Sequence, residues 1–91
     1  MTYSDTQLAQ IEEMAGLFMR LPDIAALVGV TTKELKLEVS NEKSAVGNAY
    51  RKGKAEAILR IRRNEKELAD AGSTVALDNL HRALAEMLED E

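Results

Sequence analysis

The sequence predicts an all-α protein of about five helices, in which an N-terminal helix-turn-helix is followed by a long helix and a C-terminal amphipathic helix. Apolar residues recur at steps of three and four along most of the 91 residues. Capping residues and helix breakers divide this pattern into five segments. No segment alternates apolar and polar residues in the way typical of a strand. The last two helices are expected to form a helical hairpin.

The first helix is predicted from its N-terminal capping signals. Ser4 and Gln7 have the spacing of a capping box, in which two side chains satisfy unpaired backbone N–H groups. Tyr3 and Leu8 occupy the two positions of a hydrophobic staple. We expect this helix to end near Arg20, because the proline that follows disfavours helical geometry in the residue before it. Its apolar stripe contains Leu8, Ile11, Ala15 and Phe18.

Two short helices follow, separated by a glycine. Pro22 suits the first turn of the second helix, and Gly29 can close that helix in the left-handed conformation. Thr31 and Glu34 repeat the capping-box spacing and predict a third helix that ends at about Val39. The apolar positions of the second helix are Ile24, Ala25, Leu27 and Val28.

The fourth helix is predicted to be the longest, from about Glu42 to Ala71. Gly47 and Gly53 lie inside it, and each costs about 1 kcal/mol relative to alanine; this cost is either tolerated or explained by close packing against a neighbouring helix. Its apolar face contains Val46, Ala49, Tyr50, Gly53, Ala57, Ile61 and Leu68. Gly72 then ends the helix, and Ser73 is a new N-cap. The inner stripe of the fifth helix is predicted to be Ala76, Leu77, Leu80, Leu84, Met87 and Leu88.

Composition limits the domain organisation and the class of protein. Hydrophobic residues make up 45% of the chain and aromatic residues only 3%, so a core must consist of aliphatic side chains. We expect one compact unit, with a helix-turn-helix region at residues 1–41 and a hairpin at residues 42–91 that mediates oligomerisation. The absence of cysteine excludes disulfides and thiolate zinc sites. No apolar run has the length of a membrane span and no secretion signal opens the chain, so we expect a cytoplasmic protein.

Charge is distributed unevenly along the chain, whose net charge is −4. Residues 1–41 carry three basic and six acidic side chains, and residues 68–91 carry one basic and six acidic. Residues 42–67 carry eight basic and four acidic side chains. A net negative charge taken alone argues against nucleic-acid binding, whereas a basic middle segment is compatible with it.

The stretch around Gly29 has the features of a helix-turn-helix. Such a motif needs a small residue where the helices touch and a residue with positive φ in the turn. Ala25 supplies the first and Gly29 the second. The alternative is an ordinary helical corner, and Glu38 stands where a recognition helix usually has an apolar residue. The positions expected to face the core are Ile24, Val28, Val30 and Leu35.

Three stretches resemble the small terminase subunits of tailed phages and related prophage helix-turn-helix proteins. They read "IAALVGVTTKELKLEV", "GNAYRKGKAEAILRIR" and "ELADAGSTVALDNLHRAL". The second contains a Tyr-x-x-Gly-Lys element at Tyr50, Gly53 and Lys54. The third contains a Gly-to-Ala-Leu connection at Ala71, Gly72, Ala76 and Leu77. The resemblance implies a multimer that recognises viral DNA for genome packaging in a bacterial host cell and delivers it to a large terminase subunit.

The resemblance also implies which residues contact double-stranded DNA. The first turn of the third helix, Thr31, Thr32 and Lys33, would enter the major groove together with Lys36. Thr hydroxyls bind phosphates or base edges, and the lysines supply charge near phosphates. Two lysines are a small electrostatic contribution, so useful affinity requires several copies of the chain on the DNA. A second candidate DNA surface is the basic face of the fourth helix, with Arg51 and Lys52 at its start; its alternative is a solvated helix face.

The sequence gives no catalytic signature, and we expect a non-enzyme without cofactor or metal. The Gly53-Lys54 pair is followed by Ala55, where a phosphate-binding loop needs Ser or Thr to hold magnesium. His81 is the single histidine and has no partner at a suitable spacing. Two other functions stay open. One is a transcription regulator that binds a palindromic operator as a dimer, and the other is a helical protein-interaction module that does not bind DNA.

Overall fold

The prediction of an all-α fold is confirmed by the computed structural model, which describes residues 2–90. These residues contain five helices and no strand. In the same range, no helix is both long enough and apolar enough to cross a membrane. The helices are α1 (Asp5–Gly16), α2 (Leu21–Val28), α3 (Thr32–Ser40), α4 (Ala45–Asp70) and α5 (Thr74–Glu89).

Helix α1 begins as predicted and ends earlier. The hydroxyl of Ser4 accepts a hydrogen bond from Gln7 N at 3.1 Å, and Ser4 N donates to Gln7 Oε1 at 2.9 Å, which completes the capping box. The prediction of an end near Arg20 was wrong, because the chain leaves the helix after Gly16. Phe18 therefore lies outside the stripe in which it was placed, and its side chain is 55% exposed.

A left-handed residue explains this early end. Phe18 has φ +59°, the one non-glycine residue with positive φ in the described chain. Phe18 N donates to Ala15 O at 3.0 Å, and Met19 N donates to Met14 O at 3.2 Å. These two bonds form the Schellman motif, in which the left-handed position is usually a glycine. The sequence has Phe there, so the usual signal of a helix end is missing.

Helices α2 and α3 are joined by a turn of three residues, Gly29 to Thr31. Gly29 has φ +89° and ψ 32°, the left-handed conformation predicted for it. The carbonyl oxygen of Ala25 accepts hydrogen bonds from both Gly29 N and Val30 N, at 2.9 and 3.0 Å. Thr31 then caps α3, since its Oγ1 accepts from Glu34 N at 3.1 Å. Three residues is the turn length of a helix-turn-helix.

The core lies around this turn. Three large side chains, Ile11, Ile24 and Leu35, are fully buried and bring α1, α2 and α3 together. On α3 the second residue packed against the core is Val39, four positions after Leu35. Glu38, three positions after Leu35, is only half-buried. The core-facing apolar residues of α3 are thus four positions apart and not three. The helix therefore packs against the core without an apolar residue at position 38.

Helix α4 starts at Ala45, three residues after the predicted start, because Ser44 caps it. Ser44 Oγ accepts from Gly47 N at 2.8 Å and donates to Glu38 O at 2.6 Å. One hydroxyl therefore pairs with a backbone N–H in the first turn of α4 and with a backbone carbonyl in the last turn of α3. This connects the end of α3 to the start of α4.

The two glycines inside α4 occupy crowded positions, so close packing explains them better than a tolerated cost. A Cβ atom at Gly53 would overlap the backbone of Glu12 in α1, coming within 2.8 Å of its carbonyl carbon. A Cβ at Gly16 would lie 3.1 Å from Gly53 O. The backbones of α1 and α4 therefore approach with no side chain between them at this point. At Gly47 the obstacle is Asn41 O, which would lie 2.7 Å from an added Cβ.

The described chain divides into two compact units inside α4, between Ile58 and Leu59. The boundary predicted from the sequence lies between residues 41 and 42, within one expected compact unit. The structure puts the division later because the first part of α4 packs on α1 through Gly53. In the second unit, Gly72 (φ +102°) ends α4, and Ser73 caps α5 by accepting from Ala76 N at 3.2 Å.

The inner face of α5 differs from the predicted stripe. Its buried and half-buried residues are Ala76, Asn79, Leu80 and Ala83. The remaining members of the predicted stripe are 43 to 56% exposed; they are Leu77, Leu84, Met87 and Leu88. Successive helical residues are rotated by about 100°, so Leu77, Leu84 and Leu88 lie on the flank next to the inner face, whereas Met87 lies in line with the inner face near the end of the helix. On α4, Ile61 and Leu68 are also exposed, although the sequence placed them on the buried face.

Candidate nucleic-acid interface

Helix α3 has one face in the core and one face in solvent. Leu35 and Val39 hold the helix against the core, and α2 with its left-handed turn fixes where the helix begins. Four exposed residues follow the spacing i, i+3, i+4, i+7 on the outer side, and we call them the outer face of α3. They are Lys33, Lys36, Leu37 and Ser40.

Four of the six predicted DNA contacts lie on or next to this outer face. Lys33 and Lys36 are exposed, and neither makes a salt bridge within residues 2–90. Thr31 is exposed, and its hydroxyl oxygen accepts from Glu34 N. Thr32 is half-buried, so it presents less surface than the sequence indicated. The structure thus brings these four side chains together on the first two turns of one helix.

Arg51, the fifth predicted contact, is bound to its own chain. Its Nη1 donates to Val39 O at 3.2 Å, and its Nη2 donates to Glu42 O at 3.0 Å and to Asn48 Oδ1 at 3.1 Å. Val39 belongs to the last turn of α3, whose carbonyl groups carry partial negative charge. The guanidinium therefore connects the end of α3, the following loop and the start of α4.

Lys52, the sixth predicted contact, lies between two carboxylates. Its Nζ is 3.7 Å from Glu12 Oε1 and 3.8 Å from Glu56 Oε1. Further along α4 and in the second unit, Arg62 pairs with Glu65 at 3.0 Å and Lys66 pairs with Asp70 at 3.0 Å. Much of the basic face of α4 is thus neutralised by neighbouring acids, in contrast to the outer face of α3.

Two members of the outer face were not among the predicted contacts. Leu37 is 65% exposed and Ser40 is exposed, and both lie on the same side as the two lysines. The spacing of Lys33, Lys36, Leu37 and Ser40 is itself a helical-face signal, so the sequence carried the information. It was missed because an apolar residue such as Leu37 is normally assigned to a core.

A small cavity of about 270 Å³ lies behind α3, on the side away from the outer face. The Tyr3 hydroxyl oxygen is buried next to it and has no hydrogen-bond partner within residues 2–90. Burial raises the pKa of Tyr3 above its ordinary value of 10.0, and the negative charges of Glu38 and Glu34 raise it further. The remaining lining residues are Thr2, Ser44, Ala45 and Val46.

Comparison with known proteins gives no relative for this chain. No family model, no curated protein and no solved structure matches it. Within residues 2–90, no three acidic or histidine side chains are grouped so that they could hold a metal ion.

Proposed function

We propose that this protein binds double-stranded DNA by placing the outer face of α3 in the major groove. The observation that carries the proposal is the junction of α2 and α3 at Gly29. A three-residue turn with a left-handed glycine orients α3, and the outer face of that helix is open to solvent. Helix-turn-helix proteins insert their second helix into the major groove in this way, with its N-terminal residues at the base edges.

The side chains available on α3 suit both phosphates and bases. Lys33 and Lys36 are cations without an intramolecular salt bridge in the described chain, so binding phosphate breaks no ion pair. The hydroxyls of Thr31 and Thr32 suit phosphates or base edges. Leu37 lies beside the lysines on the same face and suits the methyl group of thymine.

The biological role that we propose is recognition of viral DNA for packaging by a phage or prophage protein similar to a terminase small subunit. Its support is the resemblance of three sequence stretches to that family, together with the small number of cations on the α3 helix of a single copy. Two lysines release few counterions, so several copies must bind together, as in a packaging multimer. A large terminase subunit is the partner that this role requires, and the bacterial cytoplasm is its location.

Transcription regulation is the second candidate, because the same corner serves dimeric regulators on palindromic operators. A third candidate, a protein-interaction module without DNA binding, is favoured by the exposed leucines of α5. Binding to duplex DNA distinguishes the third candidate from the other two. The number of copies bound on repeated or palindromic sites distinguishes packaging from regulation.

The test first selects, from a random pool, a duplex that the protein binds. Binding to that duplex is then titrated and followed by fluorescence anisotropy at several salt concentrations. We expect Lys33→Ala/Lys36→Ala to weaken binding and to reduce the slope of log affinity against log salt by about 2, since each phosphate contact contributes about 0.9. The matched control is Arg60→Ala/Arg82→Ala, which removes the same charge from exposed positions of α4 and α5. Equal binding by the two double variants contradicts a contact through α3, and no binding by the parent protein overturns the proposal.

A further inference from the structure

Leu37 is the residue of α3 that points most directly away from the core. It is two positions after Leu35 and two positions before Val39, the residues that hold α3 against the core. Because successive helical residues are rotated by about 100°, Leu37 lies about 160° from each of them, opposite the midline between them. Its side chain is accordingly 65% exposed. If α3 enters a groove with its outer face, this side chain points at the floor of the groove.

An apolar side chain at this position has a specific complement in DNA. The floor of the major groove presents hydrogen-bonding groups at every base pair, and the C5-methyl group of thymine is the apolar group among them. A leucine side chain can neither donate nor accept a hydrogen bond. Burying it against a polar group would leave that group unpaired, at a cost in free energy. The side chain therefore favours contact with a methyl group.

We infer that α3 recognises the C5-methyl group of a pyrimidine in the major groove, and that Leu37 is the residue that contacts it. Two bases carry this group at the same ring position, thymine and 5-methylcytosine. The inference rests on the proposed function and goes further, because it names the chemical group that distinguishes one duplex from another. It also implies that cytosine methylation strengthens binding at the contacted position.

The side chains around Leu37 do not separate the two methylated bases. Thymine and 5-methylcytosine differ at their exocyclic group, which is the acceptor O4 in thymine and an N4 amino donor in the cytosine. Lys33 lies about 40° to one side of Leu37 and Glu34 about 60° to the other. Both are exposed, and neither makes a salt bridge within residues 2–90. Since the ammonium group donates and the carboxylate accepts, the face has a partner for either exocyclic group.

The test uses the full chain and the duplex selected in the DNA-binding experiment. Each thymine of that duplex is replaced in turn by deoxyuridine, which lacks only the methyl group. We expect one replacement to weaken binding about fourfold, the effect of burying one methyl group against an apolar side chain. At the same position, a pair of 5-methylcytosine with guanine should bind about fourfold more tightly than a pair of cytosine with guanine. The slope of log affinity against log salt should not change, because no phosphate contact is altered.

Leu37→Ser tests whether this side chain makes the contact. The variant should lose both methyl effects, because serine lacks the apolar atoms that would cover the methyl group. The matched control is Leu27→Ser, the same change at a leucine of α2 that is also 65% exposed, and it should retain both effects. Comparing the two proteins on the methylated and unmethylated duplexes isolates the energy of this one contact. Circular dichroism of both variants verifies that the helices are retained.

The outcomes distinguish this inference from the proposed function. A parent protein that binds the duplex but does not respond to any thymine-to-deoxyuridine change overturns the inference and leaves DNA binding in place. Methyl effects of full size in Leu37→Ser overturn the assignment to Leu37. A thymine effect without a matching 5-methylcytosine effect overturns recognition of the shared methyl group. A parent protein that binds no duplex overturns the proposed function and this inference with it.

Discussion

Gly53 in α4 lies directly on the backbone of Glu12 in α1, so that even a methyl group at Gly53 would overlap the Glu12 carbonyl. Gly16, one turn further along α1, faces the same part of α4, and a Cβ there would be 3.1 Å from Gly53 O. The salt bridge from Lys52 to Glu12 lies beside this contact. Two backbones rather than two side chains set the distance between these helices.

Gly53→Ala should destabilise the protein by about 1–3 kcal/mol, the range for overpacking a close contact. Helix propensity alone predicts the opposite sign, a gain of about 1 kcal/mol. Urea denaturation measures the difference. As a control, Ala55→Gly at an exposed position of α4 should lose about 1 kcal/mol through propensity. A Gly53→Ala variant as stable as the parent would show that α1 and α4 can separate without loss.

Phe18→Gly should stabilise the protein by about 0.5–1 kcal/mol. A left-handed conformation costs an L-residue about 1–2 kcal/mol, and glycine adopts it without that cost. The Phe18 side chain is 55% exposed, so its removal loses only a limited area of buried apolar surface. Gly29→Ala is the converse change at φ +89°, with open space around its Cβ, and should lose about 1–2 kcal/mol. A lower melting temperature for Phe18→Gly would mean that the ring contributes more by packing than the strain costs.

Arg51→Ala should lower the free energy of unfolding by about 1–3 kcal/mol. The change removes three hydrogen bonds, two of them to backbone carbonyls around the end of α3. Arg51→Lys should restore only part of the stability, because an ammonium group cannot reach all three acceptors in the planar geometry of guanidinium. Arg60→Ala, exposed on the same helix, should change stability by less than about 0.5 kcal/mol. Equal stability of the two alanine variants would contradict a structural role for Arg51.

Tyr3→Phe should leave stability unchanged or slightly raised at neutral pH, because the removed hydroxyl is buried without a partner in the described chain. The pKa of Tyr3 in the folded state is raised above 10.0. The unfolded state therefore loses its proton first, and stability falls as the pH rises from 10.0 through the folded-state pKa. The Phe variant lacks this ionisation and should lose less stability in that range. Thermal melts of both proteins from pH 7 upward measure it, and identical alkaline profiles would contradict the shift.

The positions of most helices could be predicted because capping is local. Ser4, Thr31 and Ser73 each accept a hydrogen bond from a backbone N–H three residues later, and the sequence shows both ends of each contact. Gly29 and Gly72 likewise indicate a left-handed residue at the end of a helix. The end of α1 could not be predicted in this way. Its left-handed residue is Phe18, whose identity gives no such signal.

The division of apolar residues between core and surface was less predictable. Periodicity places Leu77, Leu80, Leu84 and Leu88 on one side of α5, but which flank of that side is buried depends on the neighbour. Small residues at Ala76 and Ala83 occupy the inner face, and this is a tertiary choice that the period alone does not determine. The same limit applies to Arg51. Its charge predicts a basic surface, but its three hydrogen bonds depend on the position of the loop between α3 and α4, which the sequence does not show.

The contact between Glu12 and Gly53 also determines an order of assembly. The turn at Gly29 closes over three residues, whereas the contact of α1 with α4 brings together positions about forty residues apart along the chain. The entropy lost on closing a chain segment grows with its length, so the α2–α3 corner is the less costly to form. Docking of α4 onto α1 is then the later step in folding. Substitutions at Gly29 should therefore slow folding, and substitutions at Gly53 should mainly accelerate unfolding.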